Sequence, residues 1–285
     1  MPEQNERRKN ERAQQRNHRE KLVGDDFYRV CIEVLDEAKI PFLVGGAYAL
    51  RTYAEIVRDT KDFDVFIREK HLDAALAAFE RAGFKSEKTH AHWLAKVFCG
   101  DCFIDLIFRA GNGLCDVDEA WFAHARESEM LDKKIALCPP EEIIWMKSYI
   151  MERERFDGAD IAHILRLRAE EIDWKRLLER FGPDWRVLMS HLVMFGFVYP
   201  SEKNRIPKNV LDDLLARLNR EQCGEILNDE AAKKICNGTL ISRAQYLPDI
   251  ERWGYRDGRR ESRVQMSKKE IAEWTQKVEE KDRPQ

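Results

Sequence analysis

Phe42-Leu43-Val44-Gly45-Gly46, the spacer Ala47 to Lys61, and Asp62-Phe63-Asp64-Val65-Phe66-Ile67 form the stretch on which the reading of this chain turns. A short apolar run that ends in two glycines marks a strand stopping at a tight turn, and Ala47 to Ile56 behind it has helical composition. Asp62 to Ile67 alternates and is rich in aromatic and β-branched residues, which predicts a second strand. Residues two apart on a strand leave the same face, so the carboxylates of Asp62 and Asp64 stand only a few ångströms from each other. Two like charges so placed repel unless a cation sits between them.

Working outward, His71 to Ala82 reads as an alanine-rich helix closed by Gly83, and Trp93 to Cys99 and Cys102 to Phe108 flank the short hairpin loop Gly100-Asp101. The second hairpin strand carries Asp105 inside Phe103-Ile104-Asp105-Leu106-Ile107-Phe108, where a buried charge without a partner is costly. Three carboxylates on neighbouring strands would satisfy one another through a divalent metal. Hard oxygen ligands select Mg²⁺ or Mn²⁺, and an open site for two ions, with phosphate as the remaining ligand, suits in-line displacement at phosphorus. Gly45-Gly46, leading into a helix N-terminus, lets phosphate oxygens approach backbone N–H groups.

Upstream, Asp25 or Asp26 is read as the N-cap of a helix carrying Phe27, Val30, Cys31, Val34 and Leu35 at helical spacing. After Gly111 to Gly113 the strand pattern stops. Pro139-Pro140-Glu141-Glu142 opens a helix running to about Met151, and further helices are expected over Ile161 to Leu167, Trp174 to Phe181, Asp184 to Val198 and Pro207 to Leu218. The apolar run Val187 to Tyr199 is expected to be a buried helix, since its 13 residues fall short of the ~20 that span a bilayer. Ser267 and Glu270 make a capping-box pattern ahead of Ile271, Trp274 and Val278. The expected organisation is a charged arm (1–22), an α/β domain with a mixed sheet (23–115), a linker (116–138), a mostly helical domain (139–235) and a charged tail with an amphipathic helix (236–285).

At 285 residues the chain is long enough for about two domains of ~150 residues. Charged residues make up 35%, yet 49 basic and 52 acidic side chains leave a net charge of −3, which argues against a dedicated nucleic-acid coat and allows a local phosphate site. The first 21 residues lack the apolar core of a signal peptide, and seven cysteines is an odd number that fits reduced thiols, so a cytoplasmic protein with no membrane partner is expected.

In this order of elements the sequence resembles the nucleotidyltransferase superfamily that includes DNA polymerase β, tRNA-nucleotidyltransferases, aminoglycoside nucleotidyltransferases and the toxin type of abortive-infection systems. The resemblance is carried by Val44-Gly45-Gly46, Asp62-Phe63-Asp64-Val65 and Ile104-Asp105-Leu106. Arg58 and Thr60 before the first aspartate, and Leu137-Cys138-Pro139-Pro140-Glu141-Glu142-Ile143-Ile144 with Lys147 and Arg153 to Asp160, look like its small bacterial branch; together this covers roughly residues 40–167. It implies that Asp62 and Asp64 bind both metals, that Asp105 binds the catalytic metal and helps deprotonate or orient an attacking hydroxyl, and that Gly45-Gly46 hold the triphosphate of an NTP substrate. The implied activity is transfer of a nucleoside monophosphate from the NTP to an acceptor, small molecule, protein or RNA, with release of pyrophosphate.

Other residues carry two readings. Arg58 and Lys61 either bind triphosphate or neutralise the carboxylates, and Lys147 either reaches a nucleotide phosphate or is a surface charge. Asp157 and Asp160 read as helix caps, Cys99 and Cys102 as reduced hairpin cysteines in place of a zinc knuckle, and His191 as a core histidine. The rival function is a non-catalytic nucleotide-binding or antitoxin-like interaction protein of the same fold, against which the complete set of carboxylates at 62, 64 and 105 counts.

Overall fold

A computed structural model describes residues 24–57, 62–223 and 234–276. The chain divides into two units, Met1–Gly111 with Asp116–Pro139, and Asn112–Cys115 with Pro140–Gln285.

The first unit is built on a seven-stranded mixed sheet. Its elements are α1 (Asp25–Glu37), β1 (Leu43–Val44), α2 (Gly46–Ala54), β2 (Asp62–Phe66), α3 (Leu72–Arg81), β3 (Lys85–His90), β4 (Leu94–Cys99), β5 (Cys102–Ile107), α4 (Glu119–Ala123), β6 (Arg126–Met130) and β7 (Lys133–Leu137). The strand order is β3-β4-β5-β2-β1-β7-β6. β2 runs parallel to β5 and β1 parallel to β7, while the remaining pairs are antiparallel.

Period-two alternation divides the sheet into two faces. Phe63, Val65, Ala95, Val97, Ile104 and Leu106 are fully buried, and their face lies under helices: Tyr28 of α1 stacks on Phe63 at 5.0 Å and Tyr48 of α2 meets it edge-on at 5.2 Å. The residues between them, Asp62, Asp64, Lys96 and Asp105, therefore project from the opposite face. Burying those apolar side chains on one face pins the register, because a one-residue slip would turn all of them outward.

α1 begins one residue earlier than an aspartate cap requires. Gly24 occupies the N-cap position, and Asp25 and Asp26 lie in the first turn, where the helix dipole favours acids. The stretch 116–138 is not a linker. It supplies α4, whose Trp121 is fully buried and stacks on Phe66 at 5.4 Å, and the hairpin β6–β7, whose second strand pairs with β1 through Val44 and Leu137. The hairpin escapes sequence reading because its strands are half-exposed and charged and its turn, Leu131-Asp132, has φ of 53° and 60° without a glycine or asparagine to mark it. β3 is hidden likewise: Lys85-Ser86-Glu87-Lys88-Thr89-His90 is a polar edge strand.

The second unit is mostly helical, with α5 (Pro140–Lys147), α6 (Gly158–Arg168), α7 (Trp174–Phe181), α8 (Trp185–Val198), α9 (Lys208–Gln222), α10 (Leu247–Glu251) and α11 (Lys268–Gln276), plus a two-stranded parallel pair, β8 (Ile235–Cys236) and β9 (Arg256–Asp257). α5 ends at Lys147, short of Met151, and the chain turns back through a bridge between Met151 and Phe156. α8 is buried along Trp185, Leu188, His191, Leu192 and Phe195, whereas Val193, Met194, Phe197 and Val198 are exposed, with Phe197 at 79%. The expectation of a wholly buried helix fails because apolar residues surround α8 while its neighbours in this unit cover one side.

The stretch 236–276 is no free tail. Thr239, Asp257 and Arg259 are buried: the guanidinium of Arg259 donates to both oxygens of Asp257 and to Thr275, and the Thr239 hydroxyl also donates to Asp257. Such a satisfied pair can be buried where a lone charge cannot. The capping box forms as its spacing predicts, with the Ser267 N–H donating to Glu270 and the Glu270 N–H to the Ser267 hydroxyl.

Candidate active site

The carboxylates come together through strand register. β2 and β5 pair in parallel with Asp64 opposite Asp105 and Asp62 opposite Phe103, so all three aspartates share one face. Their ligand oxygens lie within 4.8 Å of one another, and among the described residues this is the one group of three side chains able to hold a metal ion. Oxygen ligands sit ~2.0–2.6 Å from Mg²⁺, Mn²⁺ or Ca²⁺, so oxygens bound to one ion are at most about 5 Å apart. Spacing and hard-oxygen chemistry both fit such a cation.

Asp105 is the most enclosed of the three, at 9% exposure. Burial pushes its carboxyl above the usual carboxylate range, Lys96 pulls it back and the charge of Asp62 pushes further up. The Lys96 ammonium donates to Asp105 Oδ1 at 2.6 Å. Lys96 gained no place in the sequence reading, although a signal was there: the two-residue loop Gly100-Asp101 pairs Cys99 with Cys102, and counting back along the antiparallel hairpin sets Lys96 opposite Asp105.

The glycines sit against this cluster. The Gly45 N–H donates to the Asp64 carbonyl at 3.0 Å, locking the end of β1 to β2, and a side chain at 45 would run into the Phe66 ring. Gly46 has φ of +54°, and a Cβ there would overlap the Asp64 carboxylate. Glycine is required by conformation and by close approach together. Because the Gly45 amide is already engaged, an anion at this turn would meet the first-turn amides of α2, which have no partner inside the helix.

Arg58 and Lys61 lie outside the described residues. Lys147, in the second unit, is no loose surface charge: its Nζ lies 2.6 Å from Asp157 and 2.8 Å from Asp160. Asp157 occupies the N-cap position of α6 without a side-chain capping bond and accepts instead from Lys147 and Arg155. Burial alone would raise its carboxyl, but those two cations hold it below the usual range. His191 shares a hydrogen bond with the Ser148 carbonyl at 3.1 Å, and Cys99 and Cys102 are not joined in a disulfide.

Residues 25–183, more than half of the chain, match a family described as "Nucleotidyl transferase of unknown function (DUF2204)". No curated protein matches the chain. Among solved structures it is similar to the antibiotic-resistance factor ANT(2'')-Ia, with 16% identity and a TM-score of 0.39 over 56% of this chain and 92% of that one. It is also similar to the lincosamide antibiotic adenylyltransferase LnuA (13%, TM-score 0.37, 50% of this chain and 96% of that one). A third is an antigenic nucleotidyltransferase-like protein from Paracoccidioides brasiliensis (15%, TM-score 0.35, 60% and 93%).

Proposed function

We infer that this chain, which belongs to the DUF2204 family of nucleotidyl transferases, moves a nucleoside monophosphate from an NTP to an acceptor hydroxyl with the help of divalent metal. The observation that carries the reading is the gathering of Asp62, Asp64 and Asp105 within 4.8 Å of one another, beside a helix start that has no room for a side chain at Gly46. Asp62 and Asp64 would hold two Mg²⁺ or Mn²⁺ ions and Asp105 one of them. When bound, the ions neutralise charge on the phosphates and on the attacking oxygen.

The rest falls to the chain's own residues. The α2 amides after Gly45 would orient the triphosphate so that its α-phosphorus faces the aspartates, a contribution of position and pre-aimed dipoles. Asp105 would orient the acceptor hydroxyl and help to take up its proton. The acceptor oxygen bonds to the α-phosphorus, the bond to the bridging oxygen breaks, and pyrophosphate leaves. Lys147 and the Arg58–Lys61 stretch are proposed as further phosphate contacts, and for Lys147 that role competes with its two carboxylate partners.

The test is incubation of the full chain with each α-labelled NTP, Mg²⁺ or Mn²⁺, and separated cell fractions of small molecules, RNA and protein. Label is expected in one class of acceptor with stoichiometric pyrophosphate. No label in any fraction, with no saturable NTP binding, would overturn the reading.

A further inference from the structure

The hairpin register that brings Asp105 beside Asp64 on one flank brings Lys96 beside Asp105 on the other. The Lys96 Nζ stands 2.6 Å from Asp105 Oδ1 and 3.8 Å from the centre of the Phe103 ring. Carboxylate and ring face together fix where the ammonium sits. Both charged side chains are largely shielded, the side chain alone of Lys96 being 21% and that of Asp105 13% exposed. An ion pair this enclosed adds little to stability over well-packed apolar residues, and β4 is otherwise apolar from Leu94 to Cys99, so packing alone supplies no reason for a lysine at 96.

We propose that Lys96 is a resident cation of the carboxylate site: it occupies one oxygen of Asp105 in the metal-free protein, and an incoming divalent ion must share Asp105 with it. The inference rests on the metal-binding reading of Asp62, Asp64 and Asp105. Lys96 acts through Asp105 and is a positioning residue. It has two opposed consequences. It relieves crowding of negative charge among the three aspartates while no metal is bound, and it repels the metal, so the site takes up a bare divalent ion more weakly than the same carboxylates would without the ammonium.

The experiment compares the full chain with its Lys96→Met and Lys96→Arg variants, without nucleotide, by Mn²⁺ binding (loss of the free-ion EPR signal) and by thermal unfolding in EDTA and in saturating Mn²⁺. Lys96→Met is expected to bind Mn²⁺ at least roughly ten- to thirtyfold more tightly than wild type, the size of losing one charge repelling a divalent ion across ~4–6 Å even at the dielectric of water. Its melting temperature should be lower than wild type in EDTA, and Mn²⁺ should raise it by roughly 2–4 °C more than it raises wild type. Lys96→Arg keeps the charge and should behave as wild type in both measurements. Equal Mn²⁺ affinity in all three proteins would overturn the inference while leaving the metal site standing, and no Mn²⁺ binding in any of them would overturn both. A Met variant unfolded in EDTA and in Mn²⁺ alike would also overturn it, since the ammonium would then support the fold alone. Tighter Mn²⁺ binding by Lys96→Met in a protein that labels no acceptor would uphold the resident cation and reject nucleotidyl transfer.

Discussion

Asp157 and Asp257 in the second unit and Asp105 in the first are buried under opposite electrostatics, while Glu142 of the second unit is raised by burial as Asp105 is, despite Arg176 and Arg180. In the second unit burial would raise Asp157 and Asp257, but their partners outweigh it: Arg155 and Lys147 hold Asp157 below the usual range, and Arg259 with the Thr239 hydroxyl does the same for Asp257. In the first unit burial wins at Asp105 despite Lys96, and neighbouring Asp62 adds to it. The contrast teaches how a single carboxylate and a cluster of them differ. Carboxylates already clasped by cations fasten helices and strands to one another. What sets the first unit apart is the gathering of three carboxylates within 4.8 Å of one another, an arrangement that a divalent cation would favour.

The sharpest way to break the comparison is Asp64→Asn. Nucleotidyl transfer should fall by roughly a hundred- to a thousandfold, the scale seen when one group that stabilises transition-state charge is removed. The metal-free melting temperature should stay level or rise, because one of the repelling charges is gone. Initial rates and a thermal scan in EDTA check both. A lower melting temperature would move Asp64 into the clasped class and erase the difference between the units.

Lys147→Ala probes the other side. Its ammonium is mostly shielded, and removing it strips Asp160 of that partner and leaves Asp157 with Arg155. Breaking such a buried pair costs about 3–5 kcal/mol, so denaturant unfolding of the variant should show a loss on that scale. Unchanged stability with a raised apparent KM for NTP would instead mark Lys147 as a phosphate contact, and the second unit would then share in the chemistry.

Which of these charges could be read from sequence follows from how local their geometry is. Asp62 and Asp64 are legible because strand periodicity fixes their common face, and Asp105 because a charge inside an apolar run needs a reason. The glycine pair is legible too, though the chain alone cannot say that the Gly45 amide is already bonded to the Asp64 carbonyl. Lys96 is legible only through the hairpin register, since a lysine on an alternating strand ordinarily faces water. The edge strand β3 escapes because it has no apolar face of its own, and the hairpin β6–β7 because its one buried pair, Ile135 and Leu137, is too short a pattern to announce it. Arg259 escapes for another reason: its burial depends on Asp257, Thr239 and Thr275 meeting around it, and no periodic pattern brings positions 239, 257, 259 and 275 together. Local chemistry is thus written in the sequence, while partnerships between distant residues belong to the tertiary structure.

The smallest expected effect is a dependence on pH confined to the clasped carboxylates, and Asp257 isolates it. Its ionised form is favoured in the folded protein, so its folded pKa lies below the unfolded value of about 3.9. A depressed carboxyl contributes stability that is fully present above the unfolded value and is lost as pH falls through the folded one. Asp257→Asn keeps the shape and removes the charge, so the stability gap between wild type and variant should be constant between about pH 5 and 8 and close as pH falls below about 4. Denaturant midpoints measured across that range check it. A gap that persists unchanged to the acid limit would mean that Asp257 holds β9 through hydrogen-bond geometry alone, and the charge contrast between the two units would then rest on Asp157.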